Sequence, residues 1–252
     1  MQKVKKIAIL FSGNGSNMEN LIKELHQKSF VLGGVGGSEA RENQASKDDR
    51  AGTNGVRGKD EIREIDEMRG KDTGDKTSRD FAPAGLEIKL EITACICNQK
   101  DAYGITRCQN LNIPCITLPH KEFAIREAFD EALAGKLVDL GVDLVLLAGF
   151  MRILTPDFTS RFKIINIHPS LLPKHKGAHA IEDTYSSHDT EGGVSVHWVN
   201  EELDGGEIIL QDSIPKIQGE SLEDFSTRIH QLEYTLYPKA VIRAVEQLEG
   251  RA

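Results

Sequence analysis

The sequence predicts an α/β fold, an open and mostly parallel twisted sheet with helices on both faces. Two observations predict it. Apolar runs alternate with segments of helical period through the first half of the chain. The runs are continuously apolar rather than alternating, the pattern of strands covered on both faces.

The elements follow in order. Strands are expected at 6–12, 91–98, 115–119, 144–149, 164–168, 194–199 and 207–215. Helices are expected at 17–27, 102–111, 126–140 and 178–187, with a long last one at 221–248. Ser221-Leu222-Glu223-Asp224 is a capping-box pattern and starts that last helix. Pro238 inside it predicts a kink or a break near Tyr237, because proline has no N–H to donate and its ring crowds the preceding turn. Between the first helix and the second strand, at about 32–86, apolar residues thin out and glycine recurs. Charges of nearly balanced sign crowd 38–80. Such a composition buries too little apolar surface to offset the entropy of ordering it, so this segment is expected to be a disordered insertion in a single domain spanning 1–252.

The bulk numbers exclude some classes. A formal charge of −8 over 252 residues argues against a general nucleic-acid binder, whose affinity comes from neutralising phosphates. The first apolar run ends at Phe11, too short for a signal segment or a membrane span, so a cytoplasmic protein is expected. Cys95, Cys97, Cys108 and Cys115 have no metal-ligand spacing and read as buried reduced thiols; no metal is expected.

The chemistry concentrates in four places. Asn166-Ile167-His168 ends an apolar strand, where residues i and i+2 share a face, so an amide and an imidazole project together. That pair suits an oxyanion and a proton transfer at one carbon; it is equally an ordinary hydrogen-bonded strand end. Ser12-Gly13-Asn14-Gly15-Ser16-Asn17 joins the first strand to the first helix, where close backbone approach and the helix N-terminus favour a phosphate. Met18 stands where a dinucleotide fingerprint needs its third glycine, and the Lys-Ser/Thr of a nucleotide-triphosphate loop is absent, so a monophosphate is favoured. Asp204-Gly205-Gly206 is first a hairpin turn, yet an aspartate there beside His168 would favour the imidazolium. The segment 148–154 (Ala-Gly-Phe-Met-Arg-Ile-Leu) ends a strand and supplies apolar residues with one arginine, suited to a ring or to ordinary core.

Taken together, Phe11-Ser12-Gly13-Asn14-Gly15-Ser16-Asn17, Leu147-Ala148-Gly149-Phe150-Met151-Arg152-Ile153-Leu154, Asn166 to Pro173 and Glu202-Leu203-Asp204-Gly205-Gly206 resemble the phosphoribosylglycinamide formyltransferases, folate-dependent enzymes of purine synthesis. The resemblance spans nearly the whole chain outside the charged insertion. It implies a formyltransferase fold with a Rossmann-like N-terminal half. It also implies transfer of a formyl group from 10-formyltetrahydrofolate to the amine of glycinamide ribonucleotide, without a metal. Asn166, His168 and Asp204 match the family's catalytic trio. Gly15, Ser16, Asn17, His230 and Glu233 match positions that hold the ribonucleotide. Arg126, Met151, Arg152, Ile153, Leu154, Asn166, Asn200, Glu201, Glu202, Leu203 and Asp204 match positions that hold the folate. Partners implied are these two small molecules, with no nucleic acid and no membrane, in a monomer or homodimer.

One departure is local: Lys174-His175-Lys176-Gly177 replaces the aromatic-proline pair that often precedes that glycine in the family. The lysines are expected either to draw in anionic substrates or to be solvated. Three rivals share part of the pattern. A hydrolase of the same folate would carry an N-terminal regulatory domain and would not need the phosphate loop. A formyltransferase of methionyl-tRNA would want a basic C-terminal domain. A non-catalytic nucleotide-binding module would need the loop but not the trio.

Overall fold

The structure is a computed structural model that describes residues 2–32 and 85–250. Strand β1 (Lys3–Phe11) shows why the runs are continuously apolar: Ile7, Ile9 and Phe11 pack into one layer, Ala8 and Leu10 into the other, and all are fully buried. Strands β3 (Leu86–Cys97), β5 (Leu144–Leu147) and β6 (Ile164–His168) continue this two-sided core. Helices α1 (Ser16–Leu25), α2 (Tyr103–Asn110) and α6 (Leu222–Leu248) contribute to the first layer. Helices α3 (Arg126–Leu140) and α4 (Pro156–Arg161) close the second.

With β2 (Ser29–Leu32), β4 (Cys115–Thr117), β7 (Glu191–Trp198) and β8 (Ile208–Pro215), the sheet has eight strands in the order β2-β3-β1-β5-β6-β7-β8, with β4 also on β3. The pairs β1–β3, β1–β5, β5–β6 and β3–β4 are parallel, and antiparallel pairs flank them at both ends. The last helix-sized segment before β7, α5 (Ala180–Ser186), packs Ile181 and Tyr185 on the first layer.

A strand and an α-helix, β2 and α4, were not expected from the sequence. Strand β2 is only four residues long, too short to show a period. Helix α4 has six residues, but its start signal was present: Thr155 caps it by accepting from the Phe158 N–H, and Pro156 sits in the first turn, where no N–H is needed. The charged insertion lies outside the described residues. Its expected boundaries, Leu32 and Leu86, are cross-strand partners in the antiparallel β2–β3 ladder.

The break expected at Pro238 does not occur, and α6 is continuous across it. The missing proline N–H would leave the Tyr234 carbonyl, four residues earlier, without its helical partner. The Asn20 side-chain amide on α1 donates to that carbonyl at 2.8 Å. The helix start is also slightly rebuilt: Ser221 accepts from the Asp224 N–H at 3.1 Å and donates its hydroxyl to the Asp224 carboxylate at 2.7 Å.

Candidate active site

The C-terminal ends of β1, β5 and β6 open on a cavity of about 820 Å³. This is the switch point of the sheet, where β3 and β5 lie on opposite sides of β1 and ligands of open α/β sheets bind. Every expected site residue except Arg126 lines it. Arg126, the first residue of α3, lines a second cavity of about 470 Å³ with Asp130, Thr155 and Arg161.

Asn166 and His168 do share a face of β6, the face that carries Ile164 into the second layer. His168 is buried, with Nε2 donating to the His175 carbonyl at 2.8 Å and Nδ1 3.5 Å from an Asp204 carboxylate oxygen. Both ring nitrogens therefore face acceptors. Asp204 is buried and held at φ 48, in the left-handed region, and its carboxylate accepts from the Gly177 N–H at 2.9 Å. The turn is specified by Gly206, because a Cβ there would collide with the Trp198 carbonyl oxygen.

His197 is a neighbour the sequence reading missed. It sits opposite Asn166 in the β6–β7 ladder and is 2% exposed. Burial pushes its pKa below the usual histidine value, against the raising effects of the Trp198 carbonyl and Asp204. In the neutral ring, Nδ1 donates to the Trp198 carbonyl at 2.9 Å, which leaves Nε2 as an acceptor. Asn166 Nδ2 lies 3.4 Å from that nitrogen, so His197 fixes which way the amide points. Only the cross-strand register brings the two together, and a single sequence does not reveal register.

At the other end of the cavity, Gly15 takes φ 73 before α1, and a Cβ there would crowd the Gly104 backbone and Met18. Arg107 braces this loop from α2, donating to the Asn14 carbonyl at 2.9 Å and ion-pairing with Glu19. Asn17 donates to the buried Glu233 carboxylate at 2.9 Å, and His230 lies 2.9 Å from the same oxygen. The hydrogen bond to Glu233 raises the pKa of His230, which favours the cationic form of a ring beside the glycine loop.

Between the two ends, Ser12 ties β1 to the 148–154 segment: its N–H donates to the Gly149 carbonyl and its hydroxyl accepts from the Met151 N–H. Met151 and Ile153 stand exposed on this rim, with Leu203 exposed on the facing loop. Leu154 is instead buried in the second layer. The Arg152 guanidinium lies 4.5 Å above the Phe129 ring, which stacks on Phe150.

The Lys174 and Lys176 side chains are paired with carboxylates rather than free. Lys174 and His175 both pair with Asp189, at 2.7 and 2.8 Å, and Lys176 pairs with Glu202 at 2.7 Å. Cys95, Cys97 and Cys108 are buried free thiols and Cys115 is partly buried; burial pushes the Cys97 thiol up. Among the described residues, no group of three or more His, Cys, Asp or Glu side chains is placed to hold a metal ion, and no helix is long and apolar enough to cross a membrane.

The formyl transferase family model matches residues 84–241. Phosphoribosylglycinamide formyltransferase of Haemophilus influenzae is 41% identical over 176 residues, 69% of this chain and 82% of that protein. The Escherichia coli enzyme of the same name is 41% identical over 157 residues, 62% of this chain and 74% of that protein. Among solved structures, phosphoribosylglycinamide formyltransferase of Campylobacter jejuni superposes with a TM-score of 0.71 at 38% identity, over 96% of this chain and 98% of that one. The chain belongs to the formyl transferase family, among the phosphoribosylglycinamide formyltransferases.

Proposed function

We propose that the protein transfers the formyl group of 10-formyltetrahydrofolate to the amine of glycinamide ribonucleotide, a step of purine nucleotide synthesis. The observation that carries this reading is the joining of two half-sites in one cavity: Asn166, His168 and Asp204 at one end, the residue 13–17 loop with Glu233 and His230 at the other. The loop and the helix N-terminus hold the phosphate, and Glu233 and His230 flank the same end. Met151, Ile153 and Leu203 offer apolar surface to the folate ring, with Arg152, Leu154 and the residue 200–204 turn around it. Arg126 is assigned to an outlying part of the folate, consistent with its place in the second cavity.

The amine attacks the formyl carbon, and negative charge grows on the formyl oxygen. Asn166 Nδ2, oriented by His197, donates to that oxygen. His168 Nε2 donates as well, the formyl oxygen taking the place of the His175 carbonyl that accepts from it at 2.8 Å. Losing one such donor costs about 3–4 kcal/mol of barrier. Asp204, 3.5 Å from His168 Nδ1, holds the ring in place, and the proton that the attacking amine loses passes to the departing folate nitrogen as its bond to the formyl carbon breaks. No covalent enzyme intermediate is required.

The test mixes both substrates and follows the folate product with and without the ribonucleotide. Product that depends on the ribonucleotide, with the ribonucleotide gaining one formyl group, is the expected result. Product forming equally fast without it would replace the transferase by a hydrolase.

A further inference from the structure

The nucleotide end of the cavity is itself carried by two helices, so something must hold α1, which opens on the glycine loop, at a fixed distance from α6, which carries Glu233. The described contacts between these helices include two polar ties one turn apart. Asn17 donates to the Glu233 carboxylate at 2.9 Å, and Asn20 donates to the Tyr234 carbonyl at 2.8 Å. The first tie joins two residues of the ligand cavity; Asn20 and Tyr234 lie outside it.

The second tie exists because of Pro238. A carbonyl inside a helix normally accepts from the N–H four residues later, and proline has none to give. The freed Tyr234 carbonyl is an acceptor at a defined height on α6, one residue after Glu233. A helix surface otherwise offers few fixed main-chain acceptors to a neighbour, since its carbonyls are used internally. Asn20 is three residues after Asn17 and so lies on the same face of α1. Just beyond, the buried Tyr237 hydroxyl donates to the Leu147 carbonyl at 2.9 Å, which anchors this part of α6 to β5.

We propose that Asn20 is a positioning residue for the ribonucleotide: by holding the proline-freed Tyr234 carbonyl it sets the register of α1 against α6, and with it the span between the glycine loop and Glu233. Asn20 touches no reacting group and acts through Asn17 and Glu233. The inference rests on the assignment of the glycine-loop end to the ribonucleotide.

The test compares N20L, P238A and N20L/P238A with the parent, reading the KM of each substrate, kcat and thermal midpoint. N20L is expected to raise the ribonucleotide KM about tenfold, with the folate KM and kcat within about twofold. It also lowers the midpoint, because a part-buried carbonyl loses its donor. P238A keeps the parent kinetics, since Asn20 remains. In N20L/P238A, the alanine that replaces the proline supplies the missing N–H, so the midpoint recovers while the raised KM persists. This double variant also carries the test if N20L alone does not fold. An unchanged ribonucleotide KM in N20L/P238A, or a KM that recovers together with the midpoint, would overturn the proposal and leave Asn20 a stability residue only. A parent enzyme whose turnover does not depend on the ribonucleotide would instead overturn the functional assignment, so the two failures are told apart.

Discussion

At the transfer end of the cavity, Asn166, His168 and His197 stand on paired strands of one ladder, whereas at the nucleotide end Asn17, His230 and Glu233 stand on two helices. Strand side chains take their direction from the pleat and their spacing from the ladder, so the donors that must meet one oxygen are fixed by main-chain hydrogen bonds. Helices pack through side chains and can slide, so the span of the nucleotide end depends on ties such as Asn17–Glu233 and Asn20–Tyr234. The two ends therefore separate in their kinetics: damage at the strand end lowers kcat, and damage at the helix end raises the ribonucleotide KM.

The largest effect that would sharpen this contrast is at Asp204. D204A removes the charge partner of His168 and the acceptor of the Gly177 N–H, and kcat is expected to fall about 100- to 1,000-fold with the ribonucleotide KM nearly unchanged. Steady-state kinetics with each substrate varied in turn reads this directly; a KM rise as large as the kcat loss would break the contrast. E233A is the complement. It takes the acceptor from Asn17 and His230, and a ribonucleotide KM raised roughly 10- to 100-fold with kcat within a few fold is expected.

The two histidines beside these centres give opposite pH signs. Burial depresses His197, so its neutral state contributes stability above the ordinary value of 6.5 that is lost as pH falls through its folded pKa. A proton on Nε2 would also end its acceptance from Asn166, so kcat is expected to fall with the midpoint on the acid side, and H197N to flatten both profiles. Glu233 raises His230, whose cation contributes stability below 6.5 that is lost as pH rises through its folded pKa. Ribonucleotide binding is expected to weaken over that same alkaline window, and H230N to remove the dependence in a binding titration. Matching signs at the two ends would contradict the assignments.

The smallest effect concerns the segment from 33 to 85. Leu32 and Leu86 face each other across an antiparallel ladder, so a two-residue Asn-Gly turn joining them is compatible with the strands. We propose that this segment is an insertion in a single domain, and replacing it with that turn is expected to leave kcat within about twofold.

What the sequence revealed follows the same division. The shared face of Asn166 and His168 needs only strand parity, and the glycine loop needs only the rules of a strand-to-helix turn, so both were legible. His197 was not, because its meeting with Asn166 is set by the register between β6 and β7. Glu233 and His230 were reached through the family resemblance alone, since no local pattern on a long helix marks them. Pro238 did leave a signal, an expected defect, but its remedy comes from Asn20 on a helix more than two hundred residues earlier in the chain. Long-range packing, rather than local preference, decides such a contact.

The most direct test of the division between the two ends is His168 itself, read in one preparation by turnover and by calorimetric titration of the ribonucleotide. H168A is expected to reduce kcat at least about 100-fold with ribonucleotide affinity within about twofold of the parent. Turnover close to the parent's, or affinity lost in proportion to turnover, would contradict it.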